Sequence, residues 1–253
     1  MKIKFLLLSC ILILLNFTSC DILMQVANEA MRTETPLSTE QVAQGLKQAL
    51  QIGAETAVKQ LNTTNGYYHN QALKINLPPE TQQILENAKR IPGVEALLEQ
   101  LVLQLNRSAE DAAIQAKPIL TSAITTMSIA DAWEILQGEE DAATQYLKSK
   151  TFNNLTSLYQ PSVKKSLDKP LVAGISANQS WQEISNKWNT FAKSLVGKVI
   201  NAKTLDYSLD QYVTREALKG LFYMIEGKEK EIRTDINART TDLLRKVFNQ
   251  QSE

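Results

Sequence analysis

Apolar residues along this chain fall into two patterns. From Phe5 to Leu15 they run almost unbroken, preceded by Lys2 and Lys4 and followed by Phe17-Thr18-Ser19-Cys20. From about Leu37 they recur every three or four positions with polar residues between, the spacing of one helix face. No run alternating at a period of two stands out, so the pattern predicts an all-α domain over residues 37–250, of about eight to ten helices.

Taken in order, Ser38-Thr-Glu-Gln41 is a capping box, and the helix behind it carries Val42, Leu46, Ala49, Leu50, Gly53, Ala57 and Leu61 on one face. Asn65-Gly66 turns the chain into an irregular arm within residues 62–78, closed by Pro78-Pro79, which start the next helix. That helix runs to about Arg90 and breaks at Pro92-Gly93. Val94, Leu97, Leu98, Leu101, Leu105, Ala109, Ala112 and Ala116 then form a long stripe ending at Pro118, with Ser108-Ala-Glu-Asp111 as a second cap midway. Ile119–Met127 is short and apolar.

Ser128-Ile-Ala-Asp131 caps a helix with Ile129, Trp133 and Leu136 on one face, stopped by Gly138. Glu139-Glu140-Asp141 place three negative charges where the next helix dipole favours them, and that helix continues to about Tyr159. Residues 161–176, with two prolines and a glycine, read as a hinge. Trp181, Ile184, Trp188, Phe191 and Leu195 define another amphipathic helix. Ser208-Leu-Asp-Gln211 caps one more, whose Val213, Ala217, Leu218, Leu221, Phe222, Met224 and Ile225 give it a wide apolar face and a central place. Its Glu226/Lys230 and Glu229/Arg233 are well-oriented i,i+4 pairs, worth only about 0.3–0.5 kcal/mol each. Leu243, Leu244, Val247 and Phe248 close the chain. The irregular spacing of the Ser-x-x-acid/Gln starts argues against a helical repeat.

The unbroken run changes the picture of where the domain acts. A basic start, an apolar stretch and small residues form a signal peptide over residues 1–19, and a cysteine directly after Ser19 makes it a lipobox. Leu6–Phe17 is too short to span a bilayer, which takes about 20 apolar residues. The expectation is cleavage before Cys20, acyl chains on its thiol and amino group, and a lipidated tether over residues 20–36. Ile22, Leu23, Val26, Ala30 and Met31 recur at helical spacing in that tether. The address is then the bacterial cell envelope, lipid-anchored and periplasm-facing. Losing Lys2 and Lys4 takes the basic residues from 27 to 25 against 27 acidic ones, a mature charge of −2. That balance gives no footprint for nucleic acid. Cys10 leaves with the leader and Cys20 is acylated, so the mature chain has no disulfide and rests on packing alone.

Candidate chemistry is sparse. His69 is the only histidine, so no His-pair metal site or His-based triad forms within one chain, and no cofactor is implied. Ser162-Val-Lys-Lys165 with Ser176-Ala-Asn178 echoes penicillin-binding enzymes, but the spacing is too short and no Lys-Thr-Gly follows. Glu139-Glu140-Asp141 lacks the alternating donors and glycine bend of a Ca²⁺ loop. Trp133, Trp181 and Trp188 read as core or groove walls. Tyr146 and Lys150 are i,i+4 neighbours, and with Arg239, Thr240, Thr241 and Asp242 they would line a polar groove if the last helix docks beside them.

Several stretches also carry a family resemblance. Asn65-Gly-Tyr-Tyr-His-Asn-Gln-Ala-Leu-Lys-Ile-Asn-Leu-Pro78 resembles a glycine-aromatic arm, and Met127-Ser-Ile-Ala-Asp-Ala-Trp-Glu-Ile-Leu-Gln-Gly138 and Asp141-Ala-Ala-Thr-Gln-Tyr-Leu147 resemble two central helices. Tyr212-Val-Thr-Arg-Glu-Ala-Leu-Lys-Gly-Leu-Phe222, Glu229-Lys-Glu-Ile-Arg233 and Leu243-Leu-Arg-Lys-Val-Phe248 resemble a closing signature. In this order they are similar to the domain-of-unknown-function family 4197, helical proteins of bacterial envelopes. The arm departs from that pattern at Gln71 and Asn76, where prolines are usual, and at Lys74, where arginine is usual. No role that needs a rigid arm or a guanidinium fork is carried over. The resemblance implies an all-helical fold and no activity. The functional expectation is a non-enzymatic binding or structural module held to the membrane through Cys20, with an envelope protein or a wall or lipid component as partner. Two alternatives stand beside it: a carrier with an apolar groove above about 300 Å³ near residues 161–176, and an enzyme using carboxylate, Tyr or Lys chemistry.

Overall fold

The helix-spaced stripes become helices wrapped around a shared hydrophobic core. The computed structural model describes residues 37–249. The predicted leader, Cys20 and the tether lie outside the described residues. In chain order the α-helices are α1 (Thr39–Leu61), α2 (Gln82–Asn87), α3 (Val94–Ala112), α4 (Ala116–Thr125) and α5 (Ile129–Leu136). They continue with α6 (Ala142–Leu167), α7 (Ala177–Lys193), α8 (Leu195–Val199), α9 (Leu209–Thr234) and α10 (Asp242–Asn249). Short 3-10 turns flank α2, join α3 to α4 and follow α9. Among the described residues there is no strand, only one isolated bridge between Val172 and Ile175. The fold is a single all-α domain.

α1 buries Val42, Leu46, Ala49, Leu50, Gly53, Ala57 and Leu61, the face its spacing predicts. Each buried Leu or Val there contributes about 1.5–3 kcal/mol. α1 packs against α4, α5, α9 and α10, and α9 packs against both α1 and α6. α9 therefore has the central place its wide apolar face predicts, burying Val213, Ala217, Leu218, Leu221, Phe222 and Ile225. α3 packs on α6 and α7.

Several local expectations change. The stripe does not end at Pro118, which sits in the first turn of α4, where a missing N–H breaks no helical bond. Ser108 does not start a helix; its Oγ donates to Gln104 O (2.9 Å) and Ser166 O (3.3 Å) from mid-helix. The buried face of α5 is Ala132, Ile135 and Leu136, with Ile129 exposed in the first turn. α6 runs past Tyr159 and through Pro161, because Val163, Ser166 and Leu167 beyond the proline are buried. The predicted hinge is thus helix in its first half, and only residues 168–176 are irregular. α7 stops at Lys193, so Leu195 leaves the buried face of Trp181, Ile184 and Trp188 and is exposed. Leu243 is half-buried while Leu244, Val247 and Phe248 are buried.

Two Ser-x-x-Gln starts have opposite outcomes. Ser176 and Gln179 form a full capping box at α7, inside the stretch read as hinge. Ser208 makes no cap bond at α9, and its hydroxyl donates to Asp210.

Candidate functional site

The surface groove with the most chemistry lies between α4 and α6. On α6, Tyr146, Lys150, Asn154 and Leu158 are spaced by four and form one stripe along the helix. On α4, whose other face buries Leu120 and Ile124, the facing residues are Ile119, Ser122 and Ala123, with Thr126 just past its end. Together with Met127, Leu147 and Thr151 they enclose about 310 Å³. Apolar walls alternate with hydroxyl, amide and one ammonium group.

The end of this groove is fixed by the start of α5. Ser128 Oγ accepts from Asp131 N (3.2 Å) and donates to the Asp131 carboxylate, while Ser128 N donates to Asp131 Oδ2 (3.1 Å). The Ser128 hydrogen bond, joined by one from the Tyr146 hydroxyl, holds the Asp131 carboxyl below its ordinary value. Partial burial, with Asp131 beside it, pushes the Tyr146 hydroxyl up to about 12. Lys150 Nζ lies 5.6 Å from the centre of the Tyr146 ring. The chemical meaning is specific. A phenol held that high keeps its proton at neutral pH, so it offers hydrogen bonds and no ready base or nucleophile.

Sequence reading joins six residues into one polar groove, and the structure separates them. Tyr146 and Lys150 line the α4–α6 groove; Arg239, Thr240 and Asp242 do not. Arg239 is buried and fully engaged. Its guanidinium donates to Ile232 O (3.0 Å), Arg233 O (2.8 Å) and Asn249 Oδ1 (2.5 Å), closing the C-terminal end of α9. Thr240 is exposed, and Asp242 faces solvent beside Arg245. Thr241 Oγ1 donates to Gln48 Oε1 (2.9 Å), tying the start of α10 to α1.

Two buried polar centres escape the sequence reading. In the first, the Glu229 carboxylate accepts from Ala143 N (2.9 Å), Thr144 N (2.7 Å) and Thr144 Oγ1 (2.7 Å), capping α6 from another helix. Arg233 binds the same carboxylate at 3.0 Å and donates to Ile135 O (3.0 Å) and Leu136 O (3.4 Å), closing the end of α5. The Glu229/Arg233 pair is thus more than a marginal i,i+4 pair: it is a buried clamp across two helix ends. Lys230 turns away from Glu226 to pair with Glu140 (2.8 Å) on the α5–α6 turn.

The second centre holds the arm. Glu110 Oε1 accepts from Tyr67 N and Tyr68 N (3.2 Å each), and its other oxygen pairs with Arg107 (2.6 Å). Asn106 exchanges bonds with Ile75, accepting from its N–H (2.9 Å) and donating to its carbonyl (2.8 Å). Tyr67 crosses to donate its hydroxyl to Ala217 O (2.9 Å), its ring so close to Gly220 that an added Cβ there would meet it at 2.8 Å. The irregular arm is therefore a buried strap, with Tyr67, Leu73 and Ile75 in the core. A sequence signal existed: Asn106 and Glu110 are i,i+4 neighbours beside an otherwise apolar stripe.

The three tryptophans divide as walls. Trp181 and Trp188 are buried, their indole N–H groups donating to Tyr207 O and Lys203 O at 2.8 Å, and Trp133 is half-buried. Among the described residues no group of three His, Cys, Asp or Glu side chains could hold a metal ion, and no helix is long and apolar enough to cross a membrane. An interior pocket bounded by Leu46, Leu50, Ile225 and Phe248 has about 10 Å³, the volume of a single water.

Comparison with curated proteins and with solved structures gives no match. Comparison with protein families matches residues 36–249 to the one described as "Protein of unknown function (DUF4197)". That span covers every helix and both buried polar centres described above, and the chain belongs to the DUF4197 family.

Proposed function

We propose that this protein is a bacterial envelope lipoprotein, tethered through acyl chains on Cys20, whose helical domain is a non-enzymatic binding module. Its contact surface is the α4–α6 groove, and its occupant is a segment of another envelope protein. The observation that carries the reading is the groove's lining: apolar steps at Ile119, Ala123, Met127 and Leu158 beside hydrogen-bonding groups on Thr126, Tyr146, Thr151 and Asn154. That mixture suits a peptide, which presents side chains and backbone polar groups together. It suits a stored apolar molecule poorly: the groove has the room, about 310 Å³, but hydroxyl, amide and ammonium groups share its lining, and the apolar interior pocket has only about 10 Å³. The enzyme reading needs a titratable group poised near neutral pH, whereas Tyr146 holds its proton to about 12 and Asp131 loses its own unusually early.

Two measurements on native envelopes test this proposal. Fatty-acid labelling is expected on the wild type and absent from Cys20→Ala; label on the variant would sink the anchor. A photo-crosslinking residue at Leu158 is expected to form one dominant protein adduct, lost when Tyr146→Ala is added. Adducts to lipid or wall material, or an unchanged adduct in the Tyr146 variant, would overturn the choice of occupant.

A further inference from the structure

We propose that the connection between α7 and α9 is a bilayer-docking tip, which inserts Leu195, Val196 and Val199 into the headgroup region of an anionic membrane. These three side chains sit on α8 and are 83%, 52% and 82% exposed. Leu195 and Val199 are four apart and share one side of the turn. Aliphatic side chains this open would be unremarkable if scattered singly on a loose loop. Here they are adjacent, and the loop is not loose.

The turn is built to project them. Gly197 presses backbone against backbone: an added Cβ would lie 2.2 Å from Phe191 O and 2.7 Å from Ala192 Cα. With its inner side set against the end of α7, the outer side of α8 carries the aliphatic groups. Ser194 Oγ caps the turn by accepting from Gly197 N (3.2 Å), and Lys198 N donates to Ser194 O (3.0 Å). Ile200 N and Ala202 N donate to Val196 O (3.3 Å) and Gly197 O (2.9 Å). The return path is pinned to the body by Lys203 N to Gln83 Oε1 (3.1 Å), Trp188 Nε1 to Lys203 O (2.8 Å) and a two-way exchange between Asn189 and Leu205. Each backbone group paired in this way enters a poorly hydrated interface without the penalty of an orphaned N–H or C=O.

Charge identifies the occupant. Lys193, Lys198 and Lys203 flank or interrupt the aliphatic cluster in sequence and are all exposed. The sequence contains no Asp or Glu between Glu183 and Asp206, in a chain whose basic and acidic residues number 27 each overall. Apolar side chains within a basic stretch match an anionic bilayer, which takes both. A second copy of the chain would bring two basic stretches together and repel.

The proposal does not require the acyl anchor, and the tether does not forbid the contact. Residues 20–38, at most about 3.4 Å each, reach roughly 60 Å, while a domain of this length has a radius of gyration of about 17 Å.

The test uses the mature-length chain from residue 20 with Cys20→Ser, which has no other cysteine and cannot be acylated. Val199→Cys carries an environment-sensitive fluorophore. With phosphatidylethanolamine–phosphatidylglycerol vesicles the emission is expected to shift to the blue, with phosphatidylcholine vesicles far less, and the same label at Glu139 is expected not to respond. Adding Leu195→Ser and Val196→Ser is expected to weaken partitioning at least about tenfold. Lys193→Gln and Lys198→Gln are each expected to weaken it about fivefold. All these positions are exposed, and an unchanged helical circular dichroism spectrum checks the fold. Serine variants that partition like the parent would overturn the tip, as would a blue shift that grows with protein concentration in the absence of lipid. Acyl label missing from native Cys20 would sink the anchor alone, because this experiment never uses it.

Discussion

Side-chain partners decide what a residue is worth, and Glu229 shows by how much. Its side chain is 6% exposed, with backbone, hydroxyl and guanidinium donors on both oxygens. Removing it orphans two N–H groups at the start of α6 and leaves the Arg233 guanidinium buried without its carboxylate. Glu229→Ala is expected to cost about 3–5 kcal/mol, the range for breaking a buried pair on one side. Denaturant unfolding checks this, and the double variant with Arg233→Ala should lose less than the two single losses added. A loss below about 1 kcal/mol, the scale of an exposed pair, would mean the clamp carries no load. Arg239 follows the same logic: its charge reads as a groove feature in sequence, yet three acceptors at a helix end consume its donors.

At the scale of elements, burial overrides local grammar. A proline inside a helix removes a hydrogen bond and crowds the preceding turn, at about 3 kcal/mol, and yet α6 runs through Pro161. The residues beyond it, Val163, Ser166 and Leu167, are buried, and Ser166 Oγ donates to Asp111 (2.5 Å) on α3. If Pro161 is tolerated rather than used as a hinge, Pro161→Ala should stabilise the protein. The expected gain is about 2 kcal/mol, the helical penalty less the unfolded-state entropy that proline removes. Thermal unfolding reads the sign directly, and a lower midpoint would restore a hinge role. The arm shows the converse. It has no regular structure, yet Asn106 and Glu110 satisfy its backbone as a neighbouring strand would.

For the whole molecule, buried phenols couple stability to pH. Burial, aided by Tyr159 and Glu110, raises Tyr67 well above its ordinary value near 10, and burial with Asp111 raises Tyr159. In the unfolded chain both ionise near pH 10, so above that pH the unfolded state has released protons the folded state still holds. Their contribution is complete below pH 10 and falls as pH rises towards the folded values, by roughly 1.4 kcal/mol per pH unit for each tyrosine. Denaturant midpoints between pH 8 and 12 should be level at first and then drop. Tyr67→Phe should flatten the drop while losing the bond to Ala217 at neutral pH; an equally steep fall in that variant would refute the assignment.

The sequence by itself determined the helical class, the buried faces of α1 and α9, and the Ser128–Asp131 cap. Those depend on residues three to seven apart, whose geometry a helix fixes in advance. Tertiary structure alone decided which polar residues are interior. Glu229 finds donors 85 and 86 residues away, Tyr67 an acceptor 150 away, and Asn106 a partner 31 away. It also decided that Tyr146 and Lys150 face α4 while Arg239 closes α9, since a groove belongs to two helices and neither stripe names its neighbour. Periodicity states that a helix has an inner side; only packing states what meets it there.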